Sequence, residues 1–299
     1  MRETDPSISL YKERLNLQKA HFALIDHEDA MVATVFKITQ PNGQEFILKI
    51  CSRVGDYLRE AYFLNHFHGK ILIPRIIQMV PPEAALHGAI LMECLPGQLL
   101  KIEDLTDKLC HEIGSLLARI HLDSVKGYGD LTEPDRLSPD PRVPFTLKFE
   151  EGMDECRDHL PSPLMANLRR YYDKHIDLLL SIDGPCIIHR DFRPGNIIGE
   201  HGIIRGIIDW SSARGGFAEE DFCPLEFGEW SPNPSYRDSF LAGYSSIRKV
   251  PHYQRILPLL RLSRAIGAIG FTVKQGTWKS KGAKIYQFNR QFLESFLKT

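Results

Sequence analysis

The 299-residue chain is 43% hydrophobic and carries 37 basic against 38 acidic residues, a formal net charge of −1. That length supports a sizeable core in two lobes rather than one, and the near-neutral balance provides no global field to draw the protein onto nucleic acid or an anionic membrane. The six cysteines, Cys51, Cys94, Cys110, Cys156, Cys186 and Cys223, include no C-x-x-C pair, which argues against a zinc site and a disulfide framework and points to a reducing cytoplasm. Met1-Arg2-Glu3-Thr4-Asp5 is charged and lacks an apolar h-region, so no secretory signal is expected. The most membrane-like stretch, 255–273, carries Arg261 and Arg264 near its middle, where lipid makes each costly; a buried helix is expected there.

In chain order, a short polar helix is expected around 10–18. Loose apolar alternation over 31–38, a turn at Pro41-Asn42-Gly43 and the run Phe46-Ile47-Leu48-Lys49-Ile50 predict a β-hairpin. Leu58, Ala61, Tyr62 and Asn65, with Phe63 and Phe67 beside them, predict a helix, and 76–80 and 89–92 predict further strands. Past Pro96-Gly97 the texture changes: Leu105, Leu109, Ile113, Leu116, Leu117 and Ile120 recur at helical spacing. Helical patterns continue over 146–159, 163–182, 234–247, 254–273 and 283–297, interrupted by apolar runs at 186–188 and 203–208, while 129–144, with four prolines, reads as an irregular connection. The expected architecture is α+β and bilobal: a small β-rich N-terminal lobe over 1–95, a hinge at about 93–97, and a larger, mostly helical lobe over 96–299.

The chemistry concentrates in His189-Arg190-Asp191-Phe192-Arg193-Pro194-Gly195-Asn196, completed by Asp209. Phosphoryl transfer requires a carboxylate beside the acceptor hydroxyl, oxygen ligands for magnesium, and positive charge on the phosphates. Asp191 follows the apolar strand 186–188 in a loop shaped by Pro194 and Gly195, where a carboxylate can orient and deprotonate a hydroxyl. Asn196 offers a neutral amide oxygen, and Asp209, ending Gly206-Ile207-Ile208, a charged one; both are hard ligands suited to Mg²⁺. His189 fits a loop anchor better than a base. Arg193 either reaches the transferred phosphate or lies in solvent.

This run resembles the catalytic loop of protein-kinase-like enzymes, His-Arg-Asp-x-x-x-x-Asn followed by a metal-binding Asp, and more closely that of the aminoglycoside phosphotransferase and choline kinase group, whose Ile-Asp-Trp step is matched by Ile208-Asp209-Trp210. The resemblance implies a protein-kinase-like fold, ATP or GTP as donor, and Mg²⁺. It implies Lys49 as the phosphate-facing strand lysine and Glu60 as its ion-pair partner. It also implies a purine-edge hinge at Met92, Glu93, Cys94 and Leu95, read mainly through main-chain groups at 93–95. Asp221, in Asp221-Phe222-Cys223, stands near the family's next marker in a supporting or substrate-facing role. One departure is that 25–31, in the place of the phosphate-covering loop, contains no glycine and carries Asp26, Glu28 and Asp29.

The motifs specify phosphate chemistry rather than acceptor. Acceptors in the resembling group include aminoglycosides, macrolides, hygromycin, choline, ethanolamine, homoserine and sugars, and an aminoglycoside or other antibiotic hydroxyl is the first expectation. Glu150, Glu151, Asp154, Glu155 and Asp158, with Glu219, Glu220 and Asp221, either line a cation-binding cleft or form a solvated acidic face. A protein kinase fits less well, because Asp209-Trp210-Ser211 stands in place of Asp-Phe-Gly and no Ala-Pro-Glu follows, although Arg190 is a protein-kinase habit. A non-catalytic pseudokinase fits poorly with Lys49, Asp191, Asn196 and Asp209 all present.

Overall fold

In the computed structural model, residues 6–25, 33–226 and 233–296 are described. The elements in chain order are α1 (Pro6–Arg14), β1 (His21–Ile25), β2 (Ala33–Thr39), β3 (Glu45–Cys51), α2 (Val54–Phe67), β4 (Ile76–Val80), β5 (Gly88–Glu93), β6 (Gln98–Leu99), α3 (Asp107–His121), α4 (Arg142–Glu155), α5 (Ser162–His175), β7 (Cys186–Ile188), β8 (Ile197–Glu200), β9 (Ile203–Ile207), β10 (Arg214–Gly216), α6 (Pro234–Ser245), α7 (Leu257–Lys274) and α8 (Ala283–Phe296). Two compact units form. Described residues within 1–120, 189–214 and 228–249 make the first, and those within 121–188, 215–227 and 250–299 the second. The first unit therefore runs past the hinge expected at 93–97 and takes in the segment from His189 to Arg214.

In the first unit, five antiparallel strands lie in the order β1-β2-β3-β5-β4. The β2–β3 hairpin closes at Pro41-Asn42-Gly43, where Gly43 has a φ of 84° and the Asn42 side chain accepts the Gln44 amide. Ile8 and Tyr11 of α1, with Leu15 just after it, cluster with the sheet residues Phe22, Phe36, Ile38 and Leu48. The helix begins at Pro6 rather than near residue 10, since proline at the first helical position loses no needed hydrogen bond, and Asn16 follows its end at a φ of 55°. A second sheet, ordered β6-β8-β9, carries the segment after Asp191.

α3 and α6 cross at two glycines. A Cβ at Gly243 would sit 1.9 Å from the His111 carbonyl oxygen, and one at Gly114 would sit 2.0 Å from that of Phe240. Ser115 Oγ also donates to the Gly243 carbonyl at 3.0 Å.

The second unit is built from α4, α5, α7 and α8 around Phe149, Leu168, Tyr172, Leu259, Leu262, Ile266, Ile269 and Leu293. The Phe149 and Tyr172 rings stack with centroids 3.7 Å apart. Two expected helix bounds shift. The pattern over 163–182 divides into α5 and a tighter 3-10 segment, Ile176–Ser181. α4 starts at Arg142, inside the proline-rich stretch, because Asp140 accepts the Arg142 amide at 2.9 Å and Pro144 fits the first turn. The apolar stretch 255–273 becomes α7, whose buried positions include Leu259, Leu262, Ile266 and Ile269. No helix among the described residues is long and apolar enough to cross a membrane.

The helix crossing gives two substitutions of opposite sign. Gly243→Ala should lower stability by about 1–3 kcal/mol, because the new methyl must push two backbones apart. Gly267→Ala, on α7 where an added Cβ meets nothing within 4 Å, should raise it by about 0.5–1 kcal/mol. Urea midpoints of the two variants check both signs.

Candidate active site

Lys49 lies on β3, opposite Val35 of β2 and Ile90 of β5, so its stem is enclosed by the middle of the sheet. Its ammonium donates to Glu60 Oε2 of α2 at 2.8 Å and to Asp209 Oδ1 at 2.7 Å. Burial alone would lower the Lys49 pKa, but the fields of Asp209 and then Glu60 outweigh it and hold the pKa above the ordinary lysine value. Lys49 in turn holds the Asp209 carboxyl well below the usual carboxylate range against its own desolvation. Glu60, with a side chain 2% exposed, is pushed up by burial, a shift that Lys49 opposes and Asp209 reinforces. On the same strand, burial pushes the Cys51 thiol up to about 12, which makes it a poor nucleophile at neutral pH.

The segment from His189 closes on itself. Asn196 Nδ2 donates to Asp191 Oδ2 at 2.7 Å and to the Asp191 carbonyl at 2.8 Å. With its NH₂ group turned to Asp191, the amide of Asn196 presents its oxygen on the other side, as a cation ligand must. The Asn196 carbonyl accepts the Ile208 amide at 3.0 Å, and Ile197 pairs with Ile207, so the strand ends bearing Asn196 and Asp209 are adjacent. Asp209 Oδ1 receives both Lys49 and the Ser211 hydroxyl, the latter at 2.9 Å. An amide oxygen and an ionised carboxylate on neighbouring strand ends are a donor set that fits Mg²⁺.

His189 is fully buried, with Nε2 donating to the Ile208 carbonyl at 3.1 Å and its ring 4.6 Å from that of Trp210. It ties the loop to the residue before Asp209. Arg190 and Asp209 adopt φ values of 68° and 65°, a left-handed conformation that costs most non-glycine residues about 1–2 kcal/mol and persists where surrounding contacts enforce it. The Arg193 side chain is half-buried, and its Nε lies 3.3 Å from Asp191 Oδ1.

The remaining expected positions fall as follows. Met92 is buried on β5; Glu93 ends that strand, exposed, and its amide is taken by the Arg75 carbonyl at 2.9 Å. Cys94 and Leu95 are half-buried, and a Cβ at Gly206 would meet Leu95 Cδ1 at 2.4 Å, so glycine there admits the hinge side chain. Lys49, Glu60, 92–95, Asp191, Arg193, Asn196 and Asp209 all belong to the first unit.

Asp154, Glu220 and Asp221 belong to the second unit. Asp221 is wholly buried and accepts from His121 Nε2 at 3.1 Å. Asp154 pairs with Arg157 on an exposed face, and Glu220 is half-buried. The rest of the α4 acidic row is also met by bases: Glu150 by Arg169, Glu151 by Lys148 and Lys274, and Glu155 by Lys274. Residues 26–31 of the glycine-free loop lie outside the described residues. Sequence reasoning missed Ser211 and His121. Asp-x-Ser after an apolar strand is a turn signal that would have found the first; nothing local links His121 to a residue 100 positions away.

A β-sheet lysine paired with a helix glutamate, followed by a loop that joins an Asp, an Asn and a second Asp, defines a kinase-like phosphotransferase. The phosphotransferase enzyme family model matches residues 24–259, most of the chain, and the protein belongs to that family. A homoserine kinase of Gluconobacter oxydans (strain 621H) is 28% identical over 182 residues; the match covers 58% of this chain and spans about half, 54%, of that relative. Among solved structures, the gentamicin complex of APH(2")-IIa superposes with a TM-score of 0.73 at 15% identity, covering 100% of this chain and 98% of the other. Aminoglycoside phosphotransferase APH(4)-Ia gives a TM-score of 0.72 at 14% identity, covering 99% of each. The fold is protein-kinase-like, with a small β-rich N-terminal part and a mostly helical C-terminal part.

The Lys49–Asp209 pair carries a pH signature. Because the folded-state pKa of Asp209 is depressed, its stabilisation is present above the unfolded carboxylate value and is lost as pH falls through that value toward the folded one. With the side chain 42% exposed, solvent screening leaves this at about 1 kcal/mol near pH 6. The stability gap between wild type and Asp209→Asn, measured by urea unfolding, should therefore hold above about pH 5 and narrow progressively as pH falls below about 4.

Proposed function

We propose that the chain transfers the γ-phosphoryl group of ATP to a hydroxyl of a small molecule, with Asp191 as the base. The observation that carries this reading is the double hold of Asn196 on Asp191, made while the Asn196 backbone pairs with Ile208 beside Asp209. One residue thereby fixes the base relative to the candidate metal ligands. Asp191 takes the acceptor proton as the hydroxyl oxygen forms its bond to phosphorus and the bond to the ADP oxygen breaks. Lys49, steadied by Glu60, binds the phosphates. Asn196 and Asp209 would hold Mg²⁺, which when bound neutralises charge on the triphosphate. Arg193, packed against Asp191, is placed to balance the charge of the transferred group, and the 92–95 segment is the seat of the purine, where Glu93 offers its carbonyl rather than its committed amide. Asp221, engaged by His121, takes the supporting role.

For the acceptor, two readings are carried by different observations. The pairing of the α4 carboxylates with Arg157, Arg169, Lys148 and Lys274 takes up much of the negative charge a polycation would seek, and the 28%-identical relative is a homoserine kinase; both favour a small amino alcohol of the homoserine kind. Glu220 and the exposed Asp154, together with structural neighbours solved with gentamicin and hygromycin B, support an aminoglycoside hydroxyl as the second.

Phosphate transfer from ATP should appear with homoserine in a panel that also holds choline, ethanolamine, aminoglycosides, hygromycin B and macrolides. Asp191→Asn should lower kcat by about 10²–10⁴-fold with little change in nucleotide binding. Transfer confined to an aminoglycoside would replace the first acceptor reading with the second, and full turnover by Asp191→Asn would remove the base assignment.

A further inference from the structure

Arg59 stands on α2 immediately before Glu60, and neither its charge nor its geometry enters the phosphotransfer scheme above. Its Nε donates to the Ser211 carbonyl at 2.6 Å while its Nη2 donates to Asp56 Oδ1, also at 2.6 Å. The Arg59 side chain is 23% exposed and that of Asp56 only 4%. Asp56 is further fixed by Arg53 Nε at 2.6 Å. A charged donor is thus aimed, from a buried anchor, at one particular carbonyl. The hydroxyl of that same serine donates to Asp209 Oδ1.

The turn that receives this contact has reasons to need it. Asp209 holds a left-handed φ of 65°, and the 3-10 turn Trp210–Ser212 follows directly. α2 grips the turn at two other points: Glu60 accepts the Trp210 amide, and Phe63 and Phe67 lie with ring centroids 6.0 and 4.9 Å from that of Trp210. Those contacts hold residue 210. The Arg59 bond holds the carbonyl of 211, the residue whose hydroxyl, together with Lys49, bonds Asp209 Oδ1.

We infer that Arg59 is a positioning residue: through Ser211 it aims the Asp209 carboxylate at the cation that accompanies the triphosphate. The inference rests on the phosphotransferase reading. A planar guanidinium can bond Asp56 and the Ser211 carbonyl at once in a fixed fork, which a lysine ammonium on a flexible stem reproduces only in part. Loss of partners that orient a metal ligand typically weakens metal binding by about 10–100-fold.

The test measures Mn²⁺ binding in the presence of ADP by electron paramagnetic resonance, and ADP binding without metal by calorimetry, for wild type, Arg59→Met, Arg59→Lys and Ser211→Ala. Arg59→Met should weaken Mn²⁺–ADP binding by about 10–100-fold while metal-free ADP binding is unchanged. Arg59→Lys should recover part of the loss. Ser211→Ala should weaken binding in the same direction, and adding it to Arg59→Met should cost little more, since both act on one chain of contacts. Unchanged Mn²⁺–ADP affinity in a folded Arg59→Met variant would overturn the inference, as would equal losses with and without metal, which mark a displaced helix rather than a misaimed carboxylate. Should Arg59→Met fail to fold, Ser211→Ala decides alone, and unchanged affinity there overturns it. A wild-type chain that binds ADP no better with Mn²⁺ than without would instead overturn the phosphotransferase reading, and this inference with it.

Discussion

The site turns on one ammonium held between two carboxylates. Lys49 cannot be buried as a cation without compensation, and Glu60 cannot be buried as an anion without it; each makes the other tolerable, and Asp209 supplies the larger field on Lys49. Removing Lys49 would leave the buried Glu60 as an uncompensated charge, at a cost of about 3–5 kcal/mol. The triad therefore links a central strand, a helix and the turn after β9 at one point. It also leaves Lys49 bonded to the residue proposed for the metal, so that under the proposed function nucleotide and cation exchange for that bond. The depressed pKa of Asp209 keeps the carboxylate ionised for the exchange.

The geometry around Asp191 follows the same economy of parts. Asn196 spends its nitrogen on Asp191 and its backbone oxygen on Ile208, which leaves the amide oxygen as its remaining strong acceptor. His189, buried and bonded to the Ile208 carbonyl, ties the start of the loop to the strand end that carries Asp209. The proposed base and metal ligands are thus related by short hydrogen bonds rather than by long-range packing. In the second unit, carboxylates that look available in sequence are engaged: Asp221 by His121, and the α4 row by arginines and lysines. Charge counted along a helix overstates the field it presents once neighbouring bases have folded back on it.

What sequence made legible, and what it did not, divides by distance along the chain. Asp191, Asn196 and Asp209 lie within a short span whose turn residues, strand ends and ligand types all agree, so their mutual placement could be reasoned locally. Lys49 and Glu60, 11 residues apart, were readable as a strand lysine and a helix glutamate, but the bond from Lys49 to Asp209 joins residues 160 positions apart and came only with the fold. The contact of Arg59 with Ser211, 152 positions away, and that of His121 with Asp221 leave no local pattern. The β2–β3 hairpin was legible from its turn, whereas the start of α1 was misplaced because Pro6 and Asn16, not the apolar spacing, set its ends. The border of the compact units lies away from the expected hinge because pairing of β6 with β8 joins the segment after Asp191 to the first unit.

The central claim is that Lys49 holds Asp209 until nucleotide and cation arrive. A crystal structure with Mg²⁺ and a non-hydrolysable ATP analogue tests it most directly. The account predicts that Lys49 keeps Glu60, leaves Asp209 and bonds a phosphate oxygen, while Asp209 and the Asn196 amide oxygen reach the metal. A nucleotide complex in which the Lys49–Asp209 bond survives and the metal is held by other residues would contradict it.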